Sequence, residues 1–127
     1  MRRAVWLICI LTVLAVSAGF WVDSSQTACA ERYLRAADAL REQVLENRLD
    51  AALQEQRYWH ALWQHDEDWL NLVVSHHHTR AVNTALTSLG TALSENERVE
   101  ALQALDALSD ALTDVAEGDA AMWGNIL

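Results

Sequence analysis

At 127 residues the chain has room for one small domain, and part of its 52% apolar content is spent on a single N-terminal stretch. Nine basic residues, all arginine, stand against eighteen acidic ones for a net charge of −9, which repels phosphate backbones and leaves nucleic acid out of the expected partners. Two cysteines make no disulfide framework, so packing has to hold the fold together.

Ala4 to Val22, "AVWLICILTVLAVSAGFWV", has only Thr12 and Ser17 as mild polar interruptions and is long enough to cross a bilayer as a helix. Arg2 and Arg3 precede it, so the expected orientation puts the N-terminus in the cytoplasm and the body outside. Trp6 and Trp21 sit near the two ends, where indole rings favour the membrane interface. Small residues at "VSA" before Gly19 and "ACA" before Glu31 also allow the segment to be a removable signal peptide. The apolar run exceeds the roughly 7–15 residues of a usual signal-peptide core, which favours an uncleaved anchor. "QTAC" lacks the leucine of a lipoprotein processing site, so acylation of Cys29 is not expected. Residues 1–23 are therefore read as the anchor and residues 24–127 as an exported acidic domain. Beyond the apolar run, from Asp23 on, seven arginines face all eighteen acids, a charge of −11, which reads as a self-repelling soluble surface. Cys9 lies in the apolar run and cannot reach Cys29, which is left as a free thiol or as a bridge between two chains.

Without proline, and rich in alanine, leucine, glutamate and arginine, the body reads as all-helical. The first helix continues from the apolar run, with Tyr33, Leu34, Ala37, Leu40, Val44, Leu45 and Leu49 on one face. Asn47 to Asp50 reads as a break, with Asp50 as the cap of a second helix. That helix, Ala51 to Val74, places Leu53, Trp59, Leu62, Trp63, Trp69, Leu70 and Val73 along one side, with Trp59 and Trp63 one turn apart over the same surface. A third spans Thr79 to Leu93 on Val82, Leu86, Leu89 and Leu93. "SENE", Ser94 to Glu97, has the form of a capping box opening a fourth. There Val99, Leu102, Leu105, Leu108, Leu112 and Val115 face inward, Gly118 is a stop, and the tail "AAMWGNIL" is apolar enough to fold back. Short links imply antiparallel neighbours, so the expected fold is all-α, a transmembrane helix followed by a small bundle of three to four helices.

The histidines His76, His77 and His78 invite a metal reading. Neighbours on a helix point about 100° apart, so the three cannot face one ion, and His60 and His65, five apart, splay as well. His65 and Asp68, three apart, are the closest approach to a ligand pair. No metal or other cofactor is expected. Asp66, Glu67 and Asp68 are consecutive and radiate from their helix, so they make no acid–base pair. No nucleophile elbow or phosphate loop is present, and the chain does not read as an enzyme. The tryptophans Trp59, Trp63 and Trp69 serve a core, or anchor an interface.

The tryptophan helix, the "LVVSH" leading to His76, the turn at "SENERVEAL", the leucine–alanine helix and the terminal "NIL" together resemble domain of unknown function 4363. These are small bacterial proteins with an N-terminal membrane helix and a helical body. The resemblance implies a fold and a membrane address without an activity. His76 falls on a recurring position at a helix junction, whereas His78 and Arg80 stand where the family carries acidic residues, a departure that weakens the case for a carboxylate-assisted site at His76. Two functions follow as expectations. One is a single-pass membrane protein whose exported bundle is an interaction or scaffold module, with Trp59, Trp63, Trp69, His76 and Trp123 as contact candidates and an unknown protein or a second copy as partner. The other is a secreted, cleaved protein that binds a ligand or metal through histidines and carboxylates.

Overall fold

The computed structural model describes the backbone of residues 2–126 and the side chains of residues 2–21 and 24–117. It contains four helices: α1, Arg2–Leu45; α2, Leu49–Leu70; α3, His76–Ser94; and α4, Arg98–Ile126. The expected anchor and first bundle helix are one element. α1 runs 44 residues, about 66 Å at 1.5 Å per residue. Its N-terminal part is long and apolar enough to cross a membrane, and none of that apolar window is covered by the rest of the protein. Thr12 does not interrupt it, because its hydroxyl donates to the Ile8 carbonyl at 2.8 Å.

The helices pack in a ring, each against two neighbours: α1 on α2 and α4, and α3 on α2 and α4. Cross-helix bonds show that adjacent helices run antiparallel. On α1 and α2, Tyr33 meets Asp66 while Gln43 meets Glu55. On α1 and α4, Gln26 meets the Val115 carbonyl, Arg41 meets Asp106, and Arg98 meets the end of α1. The core is built from the stripes the periodicity marked, with Tyr33, Leu40, Val44, Trp63, Leu70, Val82, Leu86, Leu89, Leu105 and Leu112 all buried. Alanine fills the seams where helices approach closely, at Ala37, Ala52, Ala85, Ala101 and Ala104. Two expected inward positions turn out exposed. Leu45 lies at the fraying end of α1 and Val99 in the first turn of α4, each beyond the reach of a packed neighbour.

Both distal turns are built the same way, and neither is capped as the sequence suggested. At the end of α1, Arg48 N–H donates to the Gln43 carbonyl and Asn47 N–H to Val44. At the end of α3, Glu97 N–H donates to Ala92 and Asn96 N–H to Leu93. Asn47 and Asn96 take positive φ of 62° and 57°, the left-handed closure of a Schellman turn, which asparagine tolerates better than other residues with a side chain. Asp50 is therefore not the cap of α2. Arg48 holds that position with no side-chain bond, and Asp50 sits in the first turn, where its charge meets the positive end of the helix. The capping box is likewise displaced: Ser94 is the last residue of α3, its hydroxyl returned to the Thr91 carbonyl. Arg98 closes the α1 end from α4, donating Nε to the Val44 carbonyl at 3.2 Å and a terminal nitrogen to Leu45 at 2.9 Å.

Gly118 does not stop α4, whose backbone stays helical to Ile126. Trp123 and the rest of the apolar tail lie outside the residues whose side chains are described. At the opposite end α3 starts three residues earlier than its periodicity implied, because Ser75 caps it by accepting from His77 N–H at 3.3 Å.

Candidate functional site

Where α1 leaves its apolar stretch and enters the bundle, Cys29, Arg32 and Tyr33 share one face at three- and four-residue spacing. Asp66 of α2 reaches them. The Tyr33 hydroxyl donates to Asp66 Oδ2 at 2.7 Å, the Cys29 sulfur lies 3.9 Å from the same oxygen, and the Arg32 guanidinium is 3.7 Å away. The Tyr33 ring meets Trp59 edge-on at 5.4 Å and Trp63 edge-on at 5.2 Å, an arrangement worth about 0.5–1.5 kcal/mol per pair beyond burial. Trp59 and Trp63 thus cover one surface, as their spacing implied, and that surface is Tyr33.

This cluster holds its phenol and its thiol protonated. Burial first, then the bond to Asp66 and its charge, push the Tyr33 phenol far above its ordinary value. Burial pushes the Cys29 thiol up as well, despite the opposing pull of Arg32. A buried thiol raised in this way is a poor nucleophile. Cys29 is only 3% exposed, so a bridge to a second chain requires the bundle to open there. Both cysteines are free.

Beside the cluster lies a groove of about 810 Å³, walled by Trp21, Arg32 and Arg35 of α1 and by Trp69, Leu72 and Val73 at the end of α2. Its wall is mainly apolar, and its charged groups among the described residues are the two guanidiniums. Trp21 belongs at once to the apolar segment and to this groove. Leu72, 84% exposed, projects from the turn between α2 and α3.

The remaining sequence candidates are dispersed. Trp63 is fully buried and has no surface to offer a partner, while Trp59 and Trp69 are half-buried. Trp63 Nε1 is buried with no acceptor among the described residues. His76 and His77 are exposed in the first turn of α3, and the rings of His77 and His78 meet edge-on at 5.8 Å. Among the described residues no three histidine, cysteine or carboxylate side chains gather where they could hold an ion. His60 is occupied elsewhere, in a polar seam between α2 and α3. Its Nε2 is 3.2 Å from Asn83 Oδ1, and its Nδ1 is 3.4 Å from Gln56 Nε2, which also donates to the Leu86 carbonyl at 2.8 Å. His65 is exposed, and of the three consecutive acids only Asp66 turns toward α1. Arg2, Arg3 and Trp6 are exposed along the N-terminal rod.

Sequence reasoning missed the Cys29–Arg32–Tyr33–Asp66 cluster. Half of its signal was visible, since the spacing of the three α1 residues puts them on one face. The partner was not, because nothing local distinguishes Asp66 from Glu67 and Asp68. No curated protein and no solved structure matched the chain. A family match covers residues 20–126, beginning at the end of the apolar run and taking in the whole bundle. On that match, the chain belongs to the family described as Domain of unknown function (DUF4363).

Proposed function

We propose that the chain is a single-pass membrane protein whose bundle is an interaction or scaffold module held against the membrane surface, with the N-terminus in the cytoplasm and the bundle outside. The observation that carries this reading is the continuity of α1, which passes from an uncovered apolar segment into the bundle core with no break. A helix anchored in lipid at one end and in a protein core at the other presents that core at a fixed height and tilt. The bundle is assigned no reaction of its own. The one buried thiol is held protonated, and the acidic side chains of α2 diverge. The half-buried Trp69 and Trp59, with the exposed Tyr58, are aromatic side chains of α2 that have surface left for a partner.

Continuity also bears on cleavage. A cut after Ala30 would sever α1 between Cys29 and Tyr33, both in the core, whereas a cut after Ala18 would leave the bundle whole. Intact mass of the chain purified from its host tests this directly, together with sedimentation after an alkaline carbonate wash and protease treatment of intact cells. The expected result is a full-length mass, retention in the membrane pellet, and loss of the bundle to external protease. A mass lacking the N-terminal residues, or release by the wash, would refute the anchor. Protection from external protease would reverse the topology. Affinity capture of the tagged chain from detergent-solubilised membranes then reads the partner. A protein captured by the native chain and lost with Trp69→Ala supports an interaction surface there, and recovery of the chain alone indicates self-assembly.

A further inference from the structure

We infer that the groove beside Cys29 binds an anionic phospholipid of the bilayer that α1 crosses, with the phosphate on Arg32 and Arg35 and an acyl chain along Trp21, Trp69 and Leu72. The inference rests on the membrane-anchored reading above. Three observations carry it, and they concern height, charge and exposure.

The apolar run of roughly 19 residues is about 28 Å long as a helix, close to the roughly 30 Å hydrocarbon thickness of a bilayer. Its outer end is then near Val22, with Trp21 at the interface where indole rings settle. Lipid phosphates lie a few ångströms further out, at the level of Ser25, which lines the same groove. Arg32 and Arg35 are two to three turns beyond. Helical side chains lean toward the N-terminus of their helix, here toward the membrane, and an arginine reaches back about one turn. Both arginines line the groove together with Ser25 and Ala28, so a phosphate they hold stands roughly 5–10 Å above the headgroup layer, with its chain against the apolar wall of the groove.

The charge of this spot runs against that of the body. Around it the chain is strongly acidic, yet among the described residues the groove is walled by two arginines and by no carboxylate. Asp66 engages Arg32 from behind at 3.7 Å, which occupies one arm of a group with five donors and leaves the others for a ligand. Two guanidiniums favour a headgroup with net negative charge over a zwitterionic one, whose choline they repel.

The apolar half of the groove is open in the direction a lipid would come from. Leu72 is the most exposed large apolar side chain among the described residues of the bundle, and Trp21 is 69% exposed. Both point to an occupant with a hydrocarbon chain, and a lipid supplies one in continuity with the membrane segment.

The test is native mass spectrometry of the full-length chain released from detergent, with phosphatidylglycerol and phosphatidylcholine added in equal amounts. The expected result is one phosphatidylglycerol retained in preference to phosphatidylcholine by about tenfold or more, as befits charge-assisted bonds to phosphate. Arg35→Gln should reduce that preference about tenfold; Arg35 makes no hydrogen bond or ion pair among the described residues, so the fold is left unchanged. Arg32→Gln added to it should abolish the preference, read only where the helix signal and melting temperature match the native chain. Glycerol phosphate, the same headgroup without a chain, should not displace the lipid. Equal retention of the two lipids, an unaltered preference in Arg35→Gln, or displacement by glycerol phosphate would each overturn the site. Flotation with phosphatidylcholine vesicles separates the two readings: a chain that floats but shows no preference loses only the lipid site, and one that does not float loses the anchor as well.

Discussion

Alanine in place of Gly90 should destabilise this protein, although the same change at an ordinary helical position stabilises. Glycine inside a helix costs about 0.5–1 kcal/mol relative to alanine, through its backbone entropy. Gly90 lies within α3, opposite Gln56 of α2, and a Cβ there would stand 2.8 Å from Gln56 Nε2 and 3.1 Å from its Cδ and Oε1. The amide is the movable end of its side chain, but it is 3% exposed and already committed to the Leu86 carbonyl and to His60 Nδ1. Pushing it aside leaves buried donors and an acceptor unmet, at a cost of about 1–3 kcal/mol. Against the gain in helix propensity the net loss is about 1–2 kcal/mol. For a bundle of this size that lowers the melting temperature by about 4–8 °C per kcal/mol. The assay is a thermal melt of the full-length chain in detergent, followed by the helical circular dichroism signal. A second background fixes the cause. Once Gln56→Ala has removed the obstructing amide, adding Gly90→Ala should raise the melting temperature, so the cycle should report a coupling of about 2 kcal/mol. Stabilisation by Gly90→Ala alone, or effects that add in the two backgrounds, would refute the steric reasoning.

Further outcomes follow from the same structure. Asn96→Ala should cost about 1 kcal/mol and Asn96→Gly should be neutral or stabilising, because only the backbone at φ 57° is at stake; chemical denaturation of the two variants checks the order. Stability should fall as the pH rises above about 9. Cys29 and Tyr33, whose ordinary values are 9.0 and 10.0, are both raised in the fold, so the folded chain keeps protons that the unfolded chain gives up. Their contribution is therefore complete below the ordinary values and lost on the alkaline side, and Cys29→Ala or Tyr33→Phe should each flatten the fall in a pH series of melts. Trp63→Ala should cost about 3–5 kcal/mol, whereas Trp63→Phe should cost far less, because it also removes an indole N–H that has no acceptor. Equal losses in a melt of the two variants would mean that the indole N–H is satisfied.

How much of this was legible in the sequence depended on whether the signal was local. The four helical faces were readable because a core stripe repeats every three to four residues, and Val82, Leu86, Leu89 and Leu93 are all buried as that repeat requires. The turns were misplaced because two different motifs share their letters. "SENE" satisfies the pattern of a capping box, and what it encodes is a Schellman closure carried by Asn96, a choice settled by backbone angles and not by composition. "ENR" at Glu46 to Arg48 repeats the device, and two asparagines at equivalent positions were the available clue. Arg98 was unreadable in principle, since it serves the end of α1 from 53 residues away. The same holds for Asp66, whose value comes from Tyr33 on another helix, and for Gly90, which makes sense only with Gln56 opposite. The continuity of anchor and bundle was legible because nothing between Val22 and Tyr33 breaks a helix.

That continuity gives Gln26 a role its energetics do not explain. Its amide donates to the Val115 carbonyl of α4, while its own carbonyl oxygen is buried with no partner among the described residues. One bond of about 1 kcal/mol is thus set against an unmet acceptor that costs about 1–3 kcal/mol. Replacement by leucine removes both and buries apolar area in their place, so Gln26→Leu should leave the melting temperature unchanged or raise it. A loss of more than about 1 kcal/mol would show that the Val115 bond outweighs the unmet oxygen. If the bundle gains nothing from glutamine, the membrane offers the reason. Asp23, Ser24, Ser25, Gln26 and Thr27 end the apolar run, and a leucine at 26 would extend the apolar surface from Trp21 toward the buried face at Cys29 and Ala30. With the amide gone, Asp23 and the neighbouring hydroxyls are left to hold α1 at the water boundary, and it can slide inward by up to about one turn, 5.4 Å. Trp21 fluorescence would then shift to the blue and be quenched more by lipids brominated deep in their chains, against a background in which Trp6, Trp59, Trp63, Trp69 and Trp123 are replaced by phenylalanine. On this reasoning Gln26 sets the depth of the anchor at the expense of the bundle. A stabilised Gln26→Leu variant whose Trp21 stays at its native depth would assign that task to the neighbouring hydroxyls instead.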